Sequence, residues 1–129
     1  CFNGLTWIEE LNLANNRLTE VNRAFSKKHQ IRNLNLAGNL LRSIVDVENL
    51  AILRKLDSLA FSDPLYGECP LVFLCNYRCC VLHYLRRIKK LDHYSIRDSE
   101  RHSVDQFFEY TLRDYLYILL HFITFFDIF

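Results

Sequence analysis

Four cysteines and two histidines crowd the middle of the chain: Cys69, Cys75, Cys79, Cys80, His83 and His93. On a helix, Cys75-x-x-x-Cys79-Cys80-x-x-His83 would present thiolate and imidazole on neighbouring turns, the ligand types that a zinc site requires, with Cys69 and His93 as further ligands. Two features favour packing instead. The spacing contains no Cys-x-x-Cys pair, and small thiols are ordinary occupants of an apolar interior. A Cys/His nucleophilic pair has less support still, because no Asn or Asp is placed to orient His83 and no oxyanion-binding loop is evident. No metal, cofactor or catalytic role is expected.

A second chemical candidate is the basic run Arg86, Arg87, Lys89 and Lys90. Such a run is usually a solvated face, and phosphate or nucleic-acid contact is the alternative, although no stacking aromatics are interleaved with these charges. Sixteen Lys and Arg against fifteen Asp and Glu leave a net charge of +1, so no global field draws in nucleic acid or an acidic membrane. With three glycines in the chain there is no Gly-rich loop to cradle a phosphate, and no small-molecule substrate is expected.

The elements that would position these residues emerge from a repeat. Ile8-x-x-Leu11-x-Leu13-x-x-Asn16-x-Leu18-x-x-Val21 superimposes on Ile31-x-x-Leu34-x-Leu36-x-x-Asn39-x-Leu41-x-x-Ile44. Each unit predicts one short strand whose few apolar residues cannot be buried alone, so units must stack and share a core. Asn16 and Asn39 follow the strands, where a side-chain amide can satisfy backbone groups of adjacent coils; they are read as structural, not catalytic. A third, degraded unit runs Leu53-x-x-Leu56-x-x-Leu59-x-Phe61, with Pro64 in place of the asparagine. Strands are expected near residues 10 to 13, 33 to 36 and 58 to 61. Val47, Leu50 and Leu53 predict a short helix or 3₁₀ segment on the convex side, whereas 21 to 30 is less clearly helical. Val81, Leu82, Leu85, Ile88 and Leu91 predict an amphipathic helix and then a last strand near Lys90 to Asp92, which would cover the end of the stack.

The repeat is the L-x-x-L-x-L-x-x-N-x-L pattern of leucine-rich repeats. The run Leu56-Asp-Ser-Leu59-Ala-Phe61-Ser-Asp63-Pro64-Leu65, followed by Asn76-Tyr77-Arg78, Val81, Leu85 and Leu91-Asp92, resembles the cap of intracellular leucine-rich-repeat proteins. That group is typified by a phosphatase regulatory subunit and a spliceosomal ribonucleoprotein subunit. Ser62-Asp63-Pro64-Leu65-Tyr66-Gly67 with Leu74-Cys75-Asn76-Tyr77 is most similar to a long multi-repeat member of it. The resemblance covers about residues 5 to 105. It departs from the extracellular cap, which would carry a Trp and four regularly spaced cysteines after the last repeat; the single Trp here is Trp7. Five cysteines, with Cys1 alone and Cys79 beside Cys80, also make a poor disulfide framework. An intracellular, cytoplasmic setting is expected.

These readings predict an α/β solenoid with a short curved parallel sheet and a C-terminal cap helix. Residues 1–64 would form the repeats, 65–105 the cap, and 106–129 a hydrophobic C-terminal segment. Strand residues alternating with the core should line the concave face: Glu10, Asn12, Asn33, Asn35, Ser58 and Ala60, with Asn15 and Ser62 at the rim. Their expected role is recognition of another protein. The alternative is a ribonucleoprotein subunit that uses the basic cap residues. The chain begins at Cys1 within an apolar pattern and has no Met, which reads as a fragment with an open N-terminal coil. From Tyr115 to Phe126 the sequence carries no formal charge, but about 12 residues fall short of the roughly 18 to 20 that a membrane span needs. Leu116, Ile118, Leu119, Phe122, Phe125 and Phe126 are therefore expected to fold back, to self-associate or to meet a surface.

Overall fold

The computed structural model describes residues 4–22 and 24–127, with side chains described as far as Ile118. It divides into two compact units, Cys1–Ile96 and Arg97–Phe129.

In the first unit, strands β1 (Glu10–Asn12), β2 (Asn33–Asn35) and β3 (Ser58–Ala60) pair in parallel. The register follows from the repeat: Leu11, Leu34 and Leu59 stand side by side, because one coil of chain separates each strand from the next. The leucines flanking each strand turn inward with them, and Leu34, Leu36, Leu41, Leu56, Leu59 and Phe61 are all buried. Helix α1 (Ile44–Leu50) covers the convex side between β2 and β3. Ser43 caps it by accepting a hydrogen bond from the Val45 N–H, and Val47 and Leu50 are fully buried.

Among the described residues no helix lies between β1 and β2, in keeping with the weak periodicity of that segment. The preceding coil is instead tied to α1. The Val21 N–H donates to Asp46 Oδ1 at 2.8 Å, and the Asn49 amide donates to the Val21 carbonyl at 2.9 Å. Buried Asp46 thus holds a backbone donor that lacks a helical partner of its own.

The third coil departs from the pattern where Pro64 replaces asparagine. Strands β4 (Ser62–Asp63) and β5 (Gly67–Glu68) form an antiparallel hairpin, with Gly67 in the left-handed region at φ 91°. A 3₁₀ turn (Pro70–Phe73) and helix α2 (Tyr77–Tyr84) follow, and α2 buries Tyr77, Val81 and Leu82. Strand β6 (Lys90–Leu91) then pairs in parallel with β3, so the predicted final strand is present. Asp92 and His93, at φ 51° and 70°, reverse the chain into β7 (Tyr94–Ser95), antiparallel to β6. The sheet order is β1-β2-β3-β6-β7.

The second unit is helix α3 (Asp98–Asp127), 30 residues long. It runs unbroken through the boundary expected between residues 105 and 106, since no Gly or Pro interrupts it. Asp98 and Glu100 sit in its first turn, and Arg113 meets Glu109 at 2.7 Å, one turn away. Leu116 and Ile118 are exposed, whereas the side chains of Leu119, Phe122, Phe125 and Phe126 lie outside the described residues. Among the described residues no helix is long and apolar enough to cross a membrane.

Candidate interaction face

Strand register arranges the outward side chains in two rows. Glu10, Asn33 and Ser58 form one, and Asn12, Asn35 and Ala60 the other. All six line one shallow groove on the concave side of the sheet. The Asn33 amide donates to Glu10 Oε1 at 3.2 Å across adjacent strands. Asn12 and Asn35 each accept a hydrogen bond at Oδ1 from the backbone two residues on, at Ala14 and Ala37. The amide of Asn35 reaches Asp63 Oδ2 at 3.4 Å. Ala60 is only 6 % exposed, so its short methyl adds little contact area among longer neighbours.

The two rim residues have different positions. Asn15 is exposed in the left-handed region at φ 57°, in the repeat place that Gly38 fills in the next coil at φ 70°. Backbone conformation accounts for both residue types. A side chain at Gly38 would also collide with the carbonyl oxygen of Tyr66. Ser62 lies in β4, where its hydroxyl faces Glu68 Oε1 at 3.4 Å. Neither Asn15 nor Ser62 lines the groove.

Two residues considered above for other roles also border this face. Lys90 stands in register with Ser58, which extends the first row to Glu10–Asn33–Ser58–Lys90, and His93 lines the groove itself. Lys90 was legible from strand alternation in the expected cap strand. His93 was not, because its place depends on the left-handed reversal after Leu91. Its Nε2 lies 3.0 Å from Asp63 Oδ2. The Leu65 N–H donated to Asp63 Oδ1 and the contact with His93 hold the Asp63 carboxyl below its ordinary range.

Below the groove the coils are joined by polar groups. Asn39 is 2 % exposed; its amide donates to Leu13 O and Leu36 O at 2.9 and 2.8 Å, and its Oδ1 accepts from the Leu18 N–H. At the cap, Asp92 Oδ1 accepts from the N–H groups of Phe61 and Ser62 at 2.7 and 3.1 Å, while the Tyr77 hydroxyl donates to Asp92 Oδ2 at 2.8 Å. Burial and the Asp92 charge push the Tyr77 phenol far above its ordinary pKa, so it stays a donor. This contact joins the Asn-Tyr-Arg and Leu-Asp segments of the cap.

The leucine-rich repeat profile matches residues 1–114. The chain belongs to the leucine-rich-repeat family. Its fold is similar to a chain in the crystal structure of the Drosophila melanogaster SNF/U2A' complex, with a TM-score of 0.73 and 22% identity over 85% of this chain and 64% of that one. It is also similar to a chain in the structure of the Chaetomium Mex67:Mtr2 subunits, with a TM-score of 0.59 and 22% identity over 75% of this chain and 62% of that one. This leucine-rich-repeat chain therefore spans less than two thirds of the length of either solved chain.

The remaining chemical candidates are dispersed in the leucine-rich-repeat unit. Cys69 is fully buried and its Sγ–H donates to Leu36 O at 3.0 Å, while desolvation pushes its thiol pKa up. Cys75 is exposed and Cys79 and Cys80 are half-buried. Among the described residues no group of three or more His, Cys, Asp or Glu could hold a metal ion. Arg86 and Arg87 line a groove with Ala51, Arg54, Leu56 and Tyr84, whereas Lys90 continues the concave row. The basic run is thus divided between two places.

Proposed function

We propose that this leucine-rich-repeat unit is a protein-recognition module, with no catalytic role, that engages its partner on the concave face. The carrying observation is the register: Glu10, Asn33 and Ser58, and beside them Asn12 and Asn35, stand as ordered polar rows on consecutive strands. A rigid sheet that presents mostly uncharged polar groups offers hydrogen bonds without the desolvation cost of burying many charges. The solved chains it resembles come from protein complexes. The buried Cys69 S–H, donating to a core carbonyl, suits a reducing, intracellular setting, because a disulfide sulfur has no proton to donate.

Photo-crosslinking tests the proposal. A photoreactive residue at Asn33 or Ser58 should give one discrete protein adduct in cell extract, and the same residue at exposed Arg54 should not. Equal adducts at both places would remove the concave face from the proposal. The nucleic-acid alternative needs a continuous basic stripe, which the division of Arg86 and Arg87 from Lys90 does not favour. Steeply salt-dependent RNA binding would restore it.

A further inference from the structure

A second groove, which adjoins the concave rows and shares His93 with them, lies beside the β4–β5 hairpin. Its volume is about 1010 Å³, and Phe73 and Tyr94 line it. These rings are 76 % and 72 % exposed, so two large apolar surfaces face solvent along one depression. Exposed aromatics beside polar groups are the residue types that anchor partner side chains.

The charge of the walls selects the occupant. Asp63, Glu68 and Asp92 contribute three carboxylates, against the single guanidinium of Arg78 and the titratable His93. Asp92 is engaged by its three donors and Asp63 faces His93, whereas the Glu68 carboxylate is exposed and accepts from the Ser62 hydroxyl at 3.4 Å. Arg78 has an interaction of its own. At Gly67 a Cβ would meet nothing within 4 Å, so the hairpin leaves the backbone open to close approach. A cation entering here can lie over an aromatic face, the negative side of its quadrupole, while Glu68 accepts hydrogen bonds from its N–H groups.

We propose that the groove bounded by Phe73, Tyr94 and Glu68 docks an arginine-bearing segment of a partner protein, with an apolar residue beside the arginine on the rings. Arginine suits the site better than lysine because its planar guanidinium both stacks on a ring and donates in pairs to a carboxylate. The three residues that carry this assignment, Phe73, Tyr94 and Glu68, lie outside the concave groove, although His93 lines both.

The test uses the full chain, ¹⁵N-labelled, titrated with the peptide acetyl-Gly-Leu-Arg-Gly-amide. Parallel titrations use peptides with neutral citrulline or glutamate in place of arginine. Saturable amide shifts confined to residues 63–68, 72–78 and 92–95 are expected with the arginine peptide only. Replacing both Phe73 and Tyr94 by Ser should weaken binding by about fivefold, and Glu68→Gln by a similar factor, with the remaining amide spectrum unchanged. The proposal is overturned if the citrulline peptide binds equally, if the shifts map to Glu10 and Asn33 instead, or if the double-serine variant keeps its affinity.

Discussion

The first two coils carry the same motif and end in different physical states. In the second, Leu34, Leu36 and Leu41 are 3 %, 0 % and 0 % exposed, while their counterparts Leu11, Leu13 and Leu18 in the first are only half-buried. The asparagines differ in the same way. Asn39 bonds backbone groups of its own coil and of the coil before it, whereas Asn16 is exposed and, among the described residues, bonds Leu13 O and Ala14 O within its own coil. Burial and coil-to-coil bonding are therefore properties of the stack. The motif makes a coil able to take part, and a neighbour on each side completes it.

The largest expected difference between the coils lies in their leucines. Leu36→Ala should destabilise by about 2–5 kcal/mol, since it removes a fully buried side chain and leaves a cavity, and Leu13→Ala by about half of that at most. Chemical denaturation of the two variants measures it, and equal losses would mean that the coils are energetically alike. Next come the asparagines. Asn39→Ala should cost about 1–3 kcal/mol, because the Leu18 N–H and two carbonyls lose their partner, whereas Asn16→Ala should stay within about 0.5 kcal/mol.

The cap sharpens the contrast from the other end of the stack. Tyr77→Phe keeps the ring and its edge-to-face contact with Phe61 but deletes the bond to Asp92, so a loss of about 1–2 kcal/mol is expected in thermal unfolding. No loss would show that packing alone closes the stack. The smallest effect concerns pH. The folded-state pKa of Asp63 is depressed, so its contribution is present above the ordinary value of 3.8 and is lost as pH falls through the lower folded value. The Leu65 amide shift, followed by NMR, should titrate with a midpoint below 3.8. A midpoint above 3.8 would mean that the hairpin contacts do not hold the carboxylate ionised.

Much of the coil geometry was legible because it follows from local pattern. Strand positions, the inward leucines, the place of Asn39 and the convex helix come from alternation and spacing within about twenty residues. What escaped depends on contacts distant in sequence. Nothing near Asp46 announces that its carboxylate accepts the Val21 N–H, and nothing near Asp92 shows that it serves Phe61, Ser62 and Tyr77 together. Asn15 illustrates the converse: polarity suggested a partner contact, while the left-handed backbone explains the residue. The division of Arg86 and Arg87 from Lys90 likewise needs the path of the chain between α2 and β6.

The reversal at Asp92 and His93 gives the assembly a direction. A stack of parallel coils behaves as a one-dimensional lattice, to which units of like polarity can be added wherever an unpaired strand edge offers a template. By turning the chain back on itself, the two left-handed residues lay β7 along β6 and occupy that template with a strand of opposite polarity. Addition of a further parallel coil directly onto β6 is thereby blocked. Asp and His tolerate the left-handed backbone, whereas β-branched residues do not; valine at both positions would disfavour the reversal and leave β6 as a raw edge able to nucleate sheet-to-sheet aggregation.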